Sequence, residues 1–535
     1  MNLRENWRIV LLVILVGISA AVLLAPGGDG GDDTGNGTVI NDTTQTDGGL
    51  TNLQYGVDLS GGTRIRAPLV GTTATGLDVP DDNRATIRAD IATALNISQS
   101  DLNVRPARQN GPGGAVEVLI ENVTTDELTS AIQSAGLDPS GEDVTIRKGV
   151  TEQTRKETVD TINAKINRGG LSGGQATLRT AADGETFVVV EVPNANRTRV
   201  RNLVANRGVV EIVAHHPVET DNGTEWVNET VLSNQQLQRA EVGVAQMGND
   251  GPEVPVTLTT DDARQYADRL SEMGFTSGSG IDACQYYQNP EDPGYCLYTV
   301  LDGEIVFAAS MTGDLAALLE SGEFVKNPTF TMTARSIGDA QDLQLDLQVG
   351  TLPARLDLDS GTVYYLQPSL AQEFKGQALL TGLFAWGTVS LVIFLRYRNP
   401  KVAIPMLLTA AAEVFLLLGF ASTVGLALDL SHIAGFIAVI GTGVDDLVII
   451  ADEILQQGEV TTGRVFQNRF RKAFWVIGAA AVTTIIAMSP LTVLSLGDLT
   501  GFAIVTIVGV LLGVLVTRPA YGDVLRNLIL SESSG

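Results

Sequence analysis

The sequence is poor in the residues from which catalytic and metal-binding sites are most often built. Its 535 residues include two cysteines and three histidines, and aromatic residues make up 5% of the chain. The adjacent His215 and His216 are poor joint ligands, because neighbours in a strand point to opposite faces. No glycine-rich phosphate-binding motif follows a predicted strand. We therefore expect no metal site, no cofactor and no enzymatic activity.

Positive charge is also scarce. The chain has 61 Asp and Glu residues against 35 Lys and Arg residues, which gives a formal net charge of -26. Such a surface argues against nucleic acid as a partner, because the phosphate backbone is bound through Lys and Arg. The acidic excess is spread along the polar part of the chain, where self-repulsion keeps a protein soluble. This distribution indicates a high-salt environment.

Long apolar runs occur in two parts of the chain. The first run occupies residues 9–25. Five more lie at residues 378–395, 402–424, 433–454, 473–495 and 500–517. Because about 20 apolar residues cross a bilayer as a helix, the pattern predicts six transmembrane helices. The first run is longer than the apolar part of a usual signal peptide and ends in a poor cleavage site, so we expect a retained anchor.

The positions of the basic residues predict the orientation in a cell membrane. They cluster at one end of each predicted span: Arg4, Arg8, Arg396, Arg398, Lys401, Arg464, Arg469, Arg471, Lys472, Arg518 and Arg526. The opposite loops, 425–432 and 496–500, contain neither Lys nor Arg. The positive-inside rule therefore places residues 1–8 and 518–535 in the cytoplasm and residues 26–377 outside.

Two further features agree with an exterior location. Seven Asn-x-Ser/Thr glycosylation acceptors fall in the exterior region: Asn36, Asn41, Asn96, Asn122, Asn196, Asn222 and Asn228. Both cysteines, Cys284 and Cys296, also lie there, where a disulfide can persist. Closing so short a loop would stabilise the fold by about 3 kcal/mol in the chain-entropy model. The alternative is a pair of buried thiols.

The exterior region alternates predicted strands and helices. Residues 26–52 are rich in Gly, Asp, Thr and Asn and are expected to form a flexible linker. Helices are predicted at 83–95, 125–135, 152–168 and 197–206, and strands at 115–121, 143–148, 186–192 and 208–214. This pattern favours an α+β fold with ferredoxin-like βαβ units in a base domain at 53–214.

The remainder of the exterior region is less regular. Helices at 260–273 and 312–321 lie among Gly-rich stretches, so residues 215–335 are interpreted as an inserted head lobe. Residues 336–377 are predicted to return to the base domain, with alternating apolar positions at 342–366.

The predicted span at 433–454 carries two acids in its interior, Asp445 and Asp446. An ionised carboxylate at that depth costs several kcal/mol unless it faces protein or water. One interpretation is that the acids lie near a helix end or are satisfied by polar groups of neighbouring helices. The other is that at least one of them carries a proton or another cation through the membrane.

Several short motifs resemble those of the SecD/SecF family of protein-export membrane proteins, within the RND superfamily of transporters. The motifs occur in the family's order: Tyr55-Gly-Val-Asp-Leu-Ser-Gly-Gly-Thr, Arg168-Gly-Gly-Leu-Ser, Leu301-Asp-Gly-Glu, Gly350-Thr-Leu-Pro-Ala, Tyr397-Arg398, Gly-x-Gly-Val-Asp ending at Asp445, Val482-Thr483-Thr484 and Gly501-Phe-Ala-Ile. The resemblance covers essentially residues 53–522 and, with the acidic composition, suggests a halophilic archaeon as the source. It implies one span followed by five, with a large exterior domain.

The resemblance also implies a function and partners. A SecD chain pairs with SecF, associates with the SecYE channel, and is thought to use the proton-motive force to pull unfolded polypeptides across the membrane while its exterior lobe moves. Membrane lipid is the remaining partner that it implies. By position, Asp445 matches the family's intramembrane acid and Thr483 and Thr484 its polar pair. The exterior motif maps to Tyr55, Asp58, Gly61 and Gly62.

The chain departs from many bacterial relatives at several acidic positions. Asp446 replaces a small residue, Glu413 lies where relatives often carry Asn, and Asp452-Glu453 replaces a Glu-Arg pair. Like-charge neighbours and burial favour protonated carboxyls. We therefore expect Asp445 to act as the relay acid, Glu413 to be largely protonated, and the bundle to hold little compensating positive charge. His432, at the exterior start of its span, has two interpretations: a proton-entry group and the more common solvated cap.

Two alternatives to protein export follow from the same residues. An RND-type exporter of small molecules or lipids would have a similar membrane half, although such exporters usually repeat the unit of one plus five spans within one chain. A membrane-tethered chaperone or sensor would use its spans only as anchors, and the acids within the spans disfavour it.

Overall fold

The computed structural model describes residues 6–24, 51–107, 113–171, 173–181, 184–220, 223–248, 251–455, 463–493 and 499–532. Most of the predicted linker at 26–52 lies outside these residues, as do Arg4 and the acceptors Asn36, Asn41 and Asn222.

The described chain begins with the first span and then enters the long polar region. Helix α1 (Trp7–Leu24) is followed by the one-turn helix α2 (Val57–Ser60) and strand β1 (Gly62–Ala67). Residues 57–60 are helical, so the extended strand begins only at the glycine pair. Gly61 and Gly62 make the turn between the two elements with φ of 78° and 131°, conformations that favour glycine.

An inner β-α-β-β-α-β unit comes next. Its elements are β2 (Thr72–Leu77), α3 (Arg84–Leu95), β3 (Leu102–Arg105), β4 (Gly114–Val118), α4 (Thr125–Ser134) and β5 (Thr145–Lys148). All strand pairs are antiparallel in the order β3-β4-β2-β5, which is a ferredoxin-like arrangement. Its core is apolar and includes Val116, Leu128 and Ile132. A capping box of Thr124 and Glu127 starts α4.

An outer unit of the same kind encloses the inner one. It consists of β1, α5 (Glu152–Arg168), β6 (Gln175–Thr180), β7 (Thr186–Pro193), α6 (Arg197–Ala205) and the late strand β16 (Thr362–Leu366). The sheet order is β16-β1-β7-β6, again antiparallel. The inner unit is inserted between β1 and α5, and the head lobe between α6 and β16. The predicted ferredoxin-like units are confirmed, in a nested form.

The head lobe has two small sheets over one core. Its elements are β8 (Val210–Thr220), β9 (Gly223–Leu232), α7 (Asn234–Leu237), β10 (Glu241–Val242), β11 (Gln246–Gly248), β12 (Gly251–Thr257), α8 (Thr260–Glu272), β13 (Cys296–Leu301), β14 (Glu304–Ala309), α9 (Gly313–Glu320), α10 (Glu323–Lys326), β15 (Thr329–Thr333) and α11 (Ile337–Val349). One sheet has the order β14-β13-β8-β9, and in the other β12 pairs with β10, β11 and β15. Cys284 and Cys296 are joined by a disulfide.

Helix α11 corrects the predicted return to the base domain. Residues 342–349 are helical rather than extended, and Ser336 caps the helix by accepting a hydrogen bond from the backbone N–H of Asp339. Leu343 and Leu347, four residues apart on one helix face, are buried in the core of the head lobe. The head lobe therefore includes residues that had been assigned to the base domain.

The membrane part follows β16. Its helices are α12 (Pro368–Tyr397), α13 (Pro400–Thr423), α14 (Leu430–Leu455), α15 (Gly463–Val493) and α16 (Leu499–Leu512), which continues through a π-helical turn (Gly513–Thr517) into α17 (Arg518–Glu532). With α1, the described residues contain six segments long and apolar enough to cross a membrane. Helix α15 runs three residues beyond Pro490, so this proline does not end it.

Helix α14 lies inside the bundle, packed against α13, α15 and α16. Helices α12 and α15 instead present apolar side chains outward, with Phe384 67% and Trp475 75% exposed. The bundle therefore has one packed interior and at least two unpacked apolar faces.

Candidate functional site in the membrane helices

Three charged side chains from three helices meet inside the bundle. Arg518, the first residue of α17, donates from Nη1 to Glu413 Oε1 of α13 at 2.8 Å and from Nε to Asp446 Oδ2 of α14 at 3.1 Å. Thr517 Oγ1 donates to the other oxygen of Glu413, Oε2, at 2.9 Å. We call Glu413, Asp446 and Arg518 the membrane triad.

The membrane triad is shielded from solvent. The side chains of Arg518 and Glu413 are 1% and 2% exposed, and that of Asp446 is 20% exposed. Taking charges out of water is costly, and only close pairing with good hydrogen bonds offsets the cost. Two carboxylates face one guanidinium, so the triad has a formal charge of -1 when both acids are ionised.

Glycines and a helix irregularity make room for the arginine. A Cβ atom at Gly513 would lie 1.2 Å from Arg518 Nη1, and one at Gly443 would lie 3.3 Å from Glu413 Oε2. The π-helical turn at Gly513–Thr517 directly precedes Arg518. Such turns widen a helix locally and are frequent at functional sites.

The triad lies about halfway along its helices. Glu413 is thirteen residues after the start of α13 and ten before its end, about 20 Å and 15 Å at the α-helical rise. Asp446 is sixteen residues after the start of α14, or about 24 Å, and nine residues before its end. Both carboxylates are therefore far from either helix end.

The structure separates the five residues predicted as an ion relay. Asp446 and Glu413 meet at Arg518, whereas Asp445 is exposed on the surface of the described bundle. This follows from helix geometry, because consecutive residues are turned by about 100°. Thr483 and Thr484 both donate to the carbonyl of Ala480 in their own helix. The roles predicted for these residues in ion transport stay predictions.

Sequence reasoning missed Arg518 and Thr517 as parts of a site. Arg518 directly follows a predicted span and was counted among the cytoplasmic loop charges. The signal that could have found it is the sequence after Arg518, which continues with leucines and other helix-forming residues as far as Glu532. Arg518 is buried, so it gives no information on orientation.

Two further ion pairs lie where α12 and α14 end, near Tyr397 and Leu455. Asp452 accepts from Arg396 at 3.0 Å and from the hydroxyl of Tyr397 at 2.8 Å, and Glu453 pairs with Lys472 at 2.9 Å. These acids and the triad acids each have a basic partner, although the two triad acids share one arginine.

The residues of the predicted exterior motif lie at the junction of the base domain with the spans. Tyr55 forms a bridge with Leu428, and its ring lies 3.7 Å from Lys375 Nζ of α12. A Cβ atom at Gly61 would lie 2.7 Å from the backbone of Pro368 at the start of α12. His432 is buried and accepts from the backbone N–H of Asp429 at 3.0 Å, so the expectation of a solvated cap was wrong.

Comparisons with known proteins agree with this architecture. The family described as protein export membrane protein SecD/SecF, C-terminal, matches residues 354–519. The protein-export membrane protein SecD of Haloquadratum walsbyi is 46% identical over 98% of this chain and 99% of its own length. The SecD protein of Haloferax volcanii is also 46% identical, over 99% of each chain.

Two solved structures of SecDF are more distant. A crystal structure of SecDF from Thermus thermophilus matches with 17% identity and a TM-score of 0.45, and a super-membrane-facing form of SecDF with 16% and 0.38. Each match covers 98% of this chain but 59% and 58% of the respective solved chain. These similarities are too low to carry a structural argument. The full-length similarity to the SecD proteins is sufficient by itself: this multi-pass membrane chain belongs to the SecD family of protein-export membrane proteins.

Proposed function

We propose that the chain acts as the SecD subunit of an accessory complex of the Sec translocase and uses the proton-motive force to assist export of unfolded preproteins across the cytoplasmic membrane. The observation that carries this proposal is the acid pair on α14, of which Asp446 is fixed by Arg518 inside the bundle and Asp445 faces outward. A helix that only anchors the chain has no use for such a pair.

Asp445 is the acid best placed to exchange protons in this proposal. An ionised carboxylate facing lipid would be costly. Asp445 must therefore bind a proton, or its side chain must contact water or a partner subunit. Its neighbour Asp446 is instead fixed by Arg518. Glu413 accepts hydrogen bonds at both oxygens. These two hydrogen bonds hold the Glu413 carboxyl group in place between Thr517 and Arg518. The expectation that Glu413 is largely protonated stays a prediction.

The energy available fits a conformational role. One elementary charge moving through 100 mV releases about 2.3 kcal/mol. This amount shifts a two-state equilibrium by roughly fifty-fold, enough to bias an exterior lobe between two positions of similar free energy.

The proposed partners are SecF, the SecYE translocon, the translocating polypeptide and membrane lipid. The outward apolar faces of α12 and α15 support contact with lipid or with another membrane subunit. One related solved protein is described as SecDF, a translocon-associated membrane protein. The proposed orientation, with the large domain outside and both termini in the cytoplasm, retains its support when Arg518 is left out, because the other flanking basic residues lie on one side.

The test is export of a secreted reporter in cells whose single copy of the gene carries Asp445→Asn. We expect a chain that inserts normally and still co-purifies with SecF, but slower export. Asp359→Asn, which changes an exposed acid of the exterior domain, is the matched control and is expected to export normally. Normal export by the Asp445→Asn cells would remove the relay role from this residue.

The exporter alternative is not favoured. The chain matches proteins named for protein export along nearly its whole length, and a buried triad is more than an anchor requires. The expectation that the chain is not an enzyme stays a prediction.

A further inference from the structure

A short backbone junction ties the exterior domain to the start of α14. Tyr55 and Leu428 form a parallel bridge. The backbone N–H of Gly56 donates to the carbonyl of Leu428, and the N–H of Leu428 donates to that of Gln54, both at 2.9 Å. Leu428 lies in the loop between α13 and α14. The segment that leads into the base domain is therefore docked on this loop.

One arginine and three acids cluster at this junction. Arg64 of β1 bonds closely to Glu191 of β7, and its Nη2 lies 3.7 Å from Asp58 of α2 and 3.9 Å from Asp429, which immediately precedes α14. From α14, His432 accepts a hydrogen bond from the Asp429 backbone. From α12, Lys375 lies against the Tyr55 ring nearby. Three acids share one guanidinium, which leaves a formal excess of two negative charges when all are ionised.

Asp429 is the least satisfied member of this group. Its side chain is 15% exposed, and among the described residues its Oδ1 atom has no hydrogen-bond partner. A Cβ atom at Gly56 would lie 2.0 Å from this oxygen, so the docked segment closes directly over the carboxyl group. Burial first, and then the charges of Glu191 and Asp58, raise the pKa of Asp429 to about 7.

A cavity of about 550 Å³ lies beside the cluster. It is lined by Asp58 and Arg64 on the exterior side and by Leu430, Ser431 and Phe502 on the side of the spans. Most of the lining is apolar, but Asp58, Arg64 and Ser431 supply polar groups and the volume leaves room for water, through which a proton can reach buried carboxyls.

We infer that Asp58, Arg64, Glu191 and Asp429 form an exterior proton-binding site, the exterior latch, which holds the base domain against the start of α14 when a proton is bound. The inference deepens the proposed function, and rests on it only in assigning a proton gradient to this chain. Helix α14 then carries the latch at its exterior end and the acids Asp445 and Asp446 about 24 Å further along.

The direction of the pH effect follows from Asp429. A carboxyl released from the junction titrates near its ordinary pKa of about 3.9, whereas the docked carboxyl keeps its proton up to about pH 7. Docking is therefore strongest below about pH 4, weakens as the pH rises from about 4 to 7, and is constant above that range. An acidic exterior closes the latch, and a loss of exterior protons releases it.

Hydrogen exchange of the full chain in lipid nanodiscs at high salt tests this inference. The informative peptides cover residues 53–60 and 425–430, because both contain an amide that bonds across the junction. After correction for the chemical exchange rate, we expect about tenfold faster exchange at pH 8 than at pH 6. Equal protection of these peptides at the two pH values would overturn the inference.

Three variants test whether Asp429 is the group that makes the junction respond to pH. Asp429→Asn is expected to keep the junction protected at both pH values, while Asp359→Asn, an exposed acid of the same domain, keeps the wild-type response. A wild-type response in Asp429→Asn also contradicts the inference. If Asp429→Asn does not fold, judged by exchange in α14 and the head lobe, Glu191→Gln is used instead. It is expected to move the midpoint to lower pH, and an unmoved midpoint contradicts the latch.

The same experiment on Asp445→Asn distinguishes this inference from the proposed function. That variant is expected to keep the wild-type response at the junction. Normal export by Asp445→Asn cells would overturn the relay role of Asp445 and leave the latch intact. A wild-type junction whose exchange does not respond to pH would overturn the latch and leave the relay role intact.

Discussion

The membrane triad and the exterior latch each place one arginine among carboxylates, but they hold it differently. Arg518 bonds to both of its acids, at 2.8 and 3.1 Å, and is 1% exposed. Arg64 bonds to Glu191, while its distances to the other two acids are 3.7 and 3.9 Å, and it is 23% exposed. Short bonds in a closed interior fix three helices together. Arg64 holds two of its acids at longer distances in a partly exposed junction, and this leaves Asp429 able to take up a proton.

The largest effect is expected when the triad loses its positive charge. Arg518→Leu leaves two carboxylates in the bundle without a base, and removing one partner of a buried pair costs about 3–5 kcal/mol. We expect a much lower midpoint of heat-induced unfolding in detergent at high salt, or no insertion at all. Arg464→Leu, which changes an exposed arginine of α15, is the control and is expected to have little effect.

A rescue variant sharpens this prediction. Adding Glu413→Gln and Asp446→Asn to Arg518→Leu removes the unpaired charges and is expected to restore most of the lost stability. If Arg518→Leu were as stable as the Arg464→Leu control, the triad would not be what holds α13, α14 and α17 together.

A smaller effect is expected from crowding the same arginine. In Gly513→Ala the new methyl group would overlap Arg518 Nη1, so the guanidinium must shift away from its carboxylates. Overpacking of this kind costs about 1–3 kcal/mol. Gly478→Ala in α15 is the matched control, because a Cβ atom there meets no atom within 4 Å. Equal unfolding midpoints for the two variants would show that the space at Gly513 is not needed.

The smallest effect is expected at an exposed ion pair. Lys472 is 66% exposed and pairs with Glu453 at 2.9 Å near the end of α14. Exposed pairs contribute about 0–1 kcal/mol and less at high salt. Lys472→Gln is therefore expected to leave the unfolding midpoint nearly unchanged. A loss comparable to that of Arg518→Leu would mean that burial does not explain the difference between these pairs.

Features that depend on local sequence were predictable. The apolar runs located the six spans, and the alternation of strands and helices gave the ferredoxin-like units, because both signals repeat within a few residues. The nesting of these units was not predictable in this way. Strand β16 pairs with β1 although almost three hundred residues separate them, and no local pattern records that pairing.

The candidate site was predictable in its acids but not in its base. Carboxylates within an apolar run stand out, so Glu413, Asp445 and Asp446 were found. Arg518 follows an apolar run that is already long enough to cross a membrane, so it looks like a loop charge. It is buried because the helix continues beyond it as α17. Similarly, Asp429 precedes its span and looked like an ordinary loop residue, because the acids around it come from distant strands.

The most direct test of the central claim is export measured while the proton gradient is lowered stepwise with a protonophore, in wild-type and Asp445→Asn cells with equal amounts of assembled complex. We predict that wild-type export falls with the gradient, whereas Asp445→Asn export starts low and changes little. Parallel dependence of the two strains on the gradient would contradict the claim that Asp445 couples this chain to the proton-motive force.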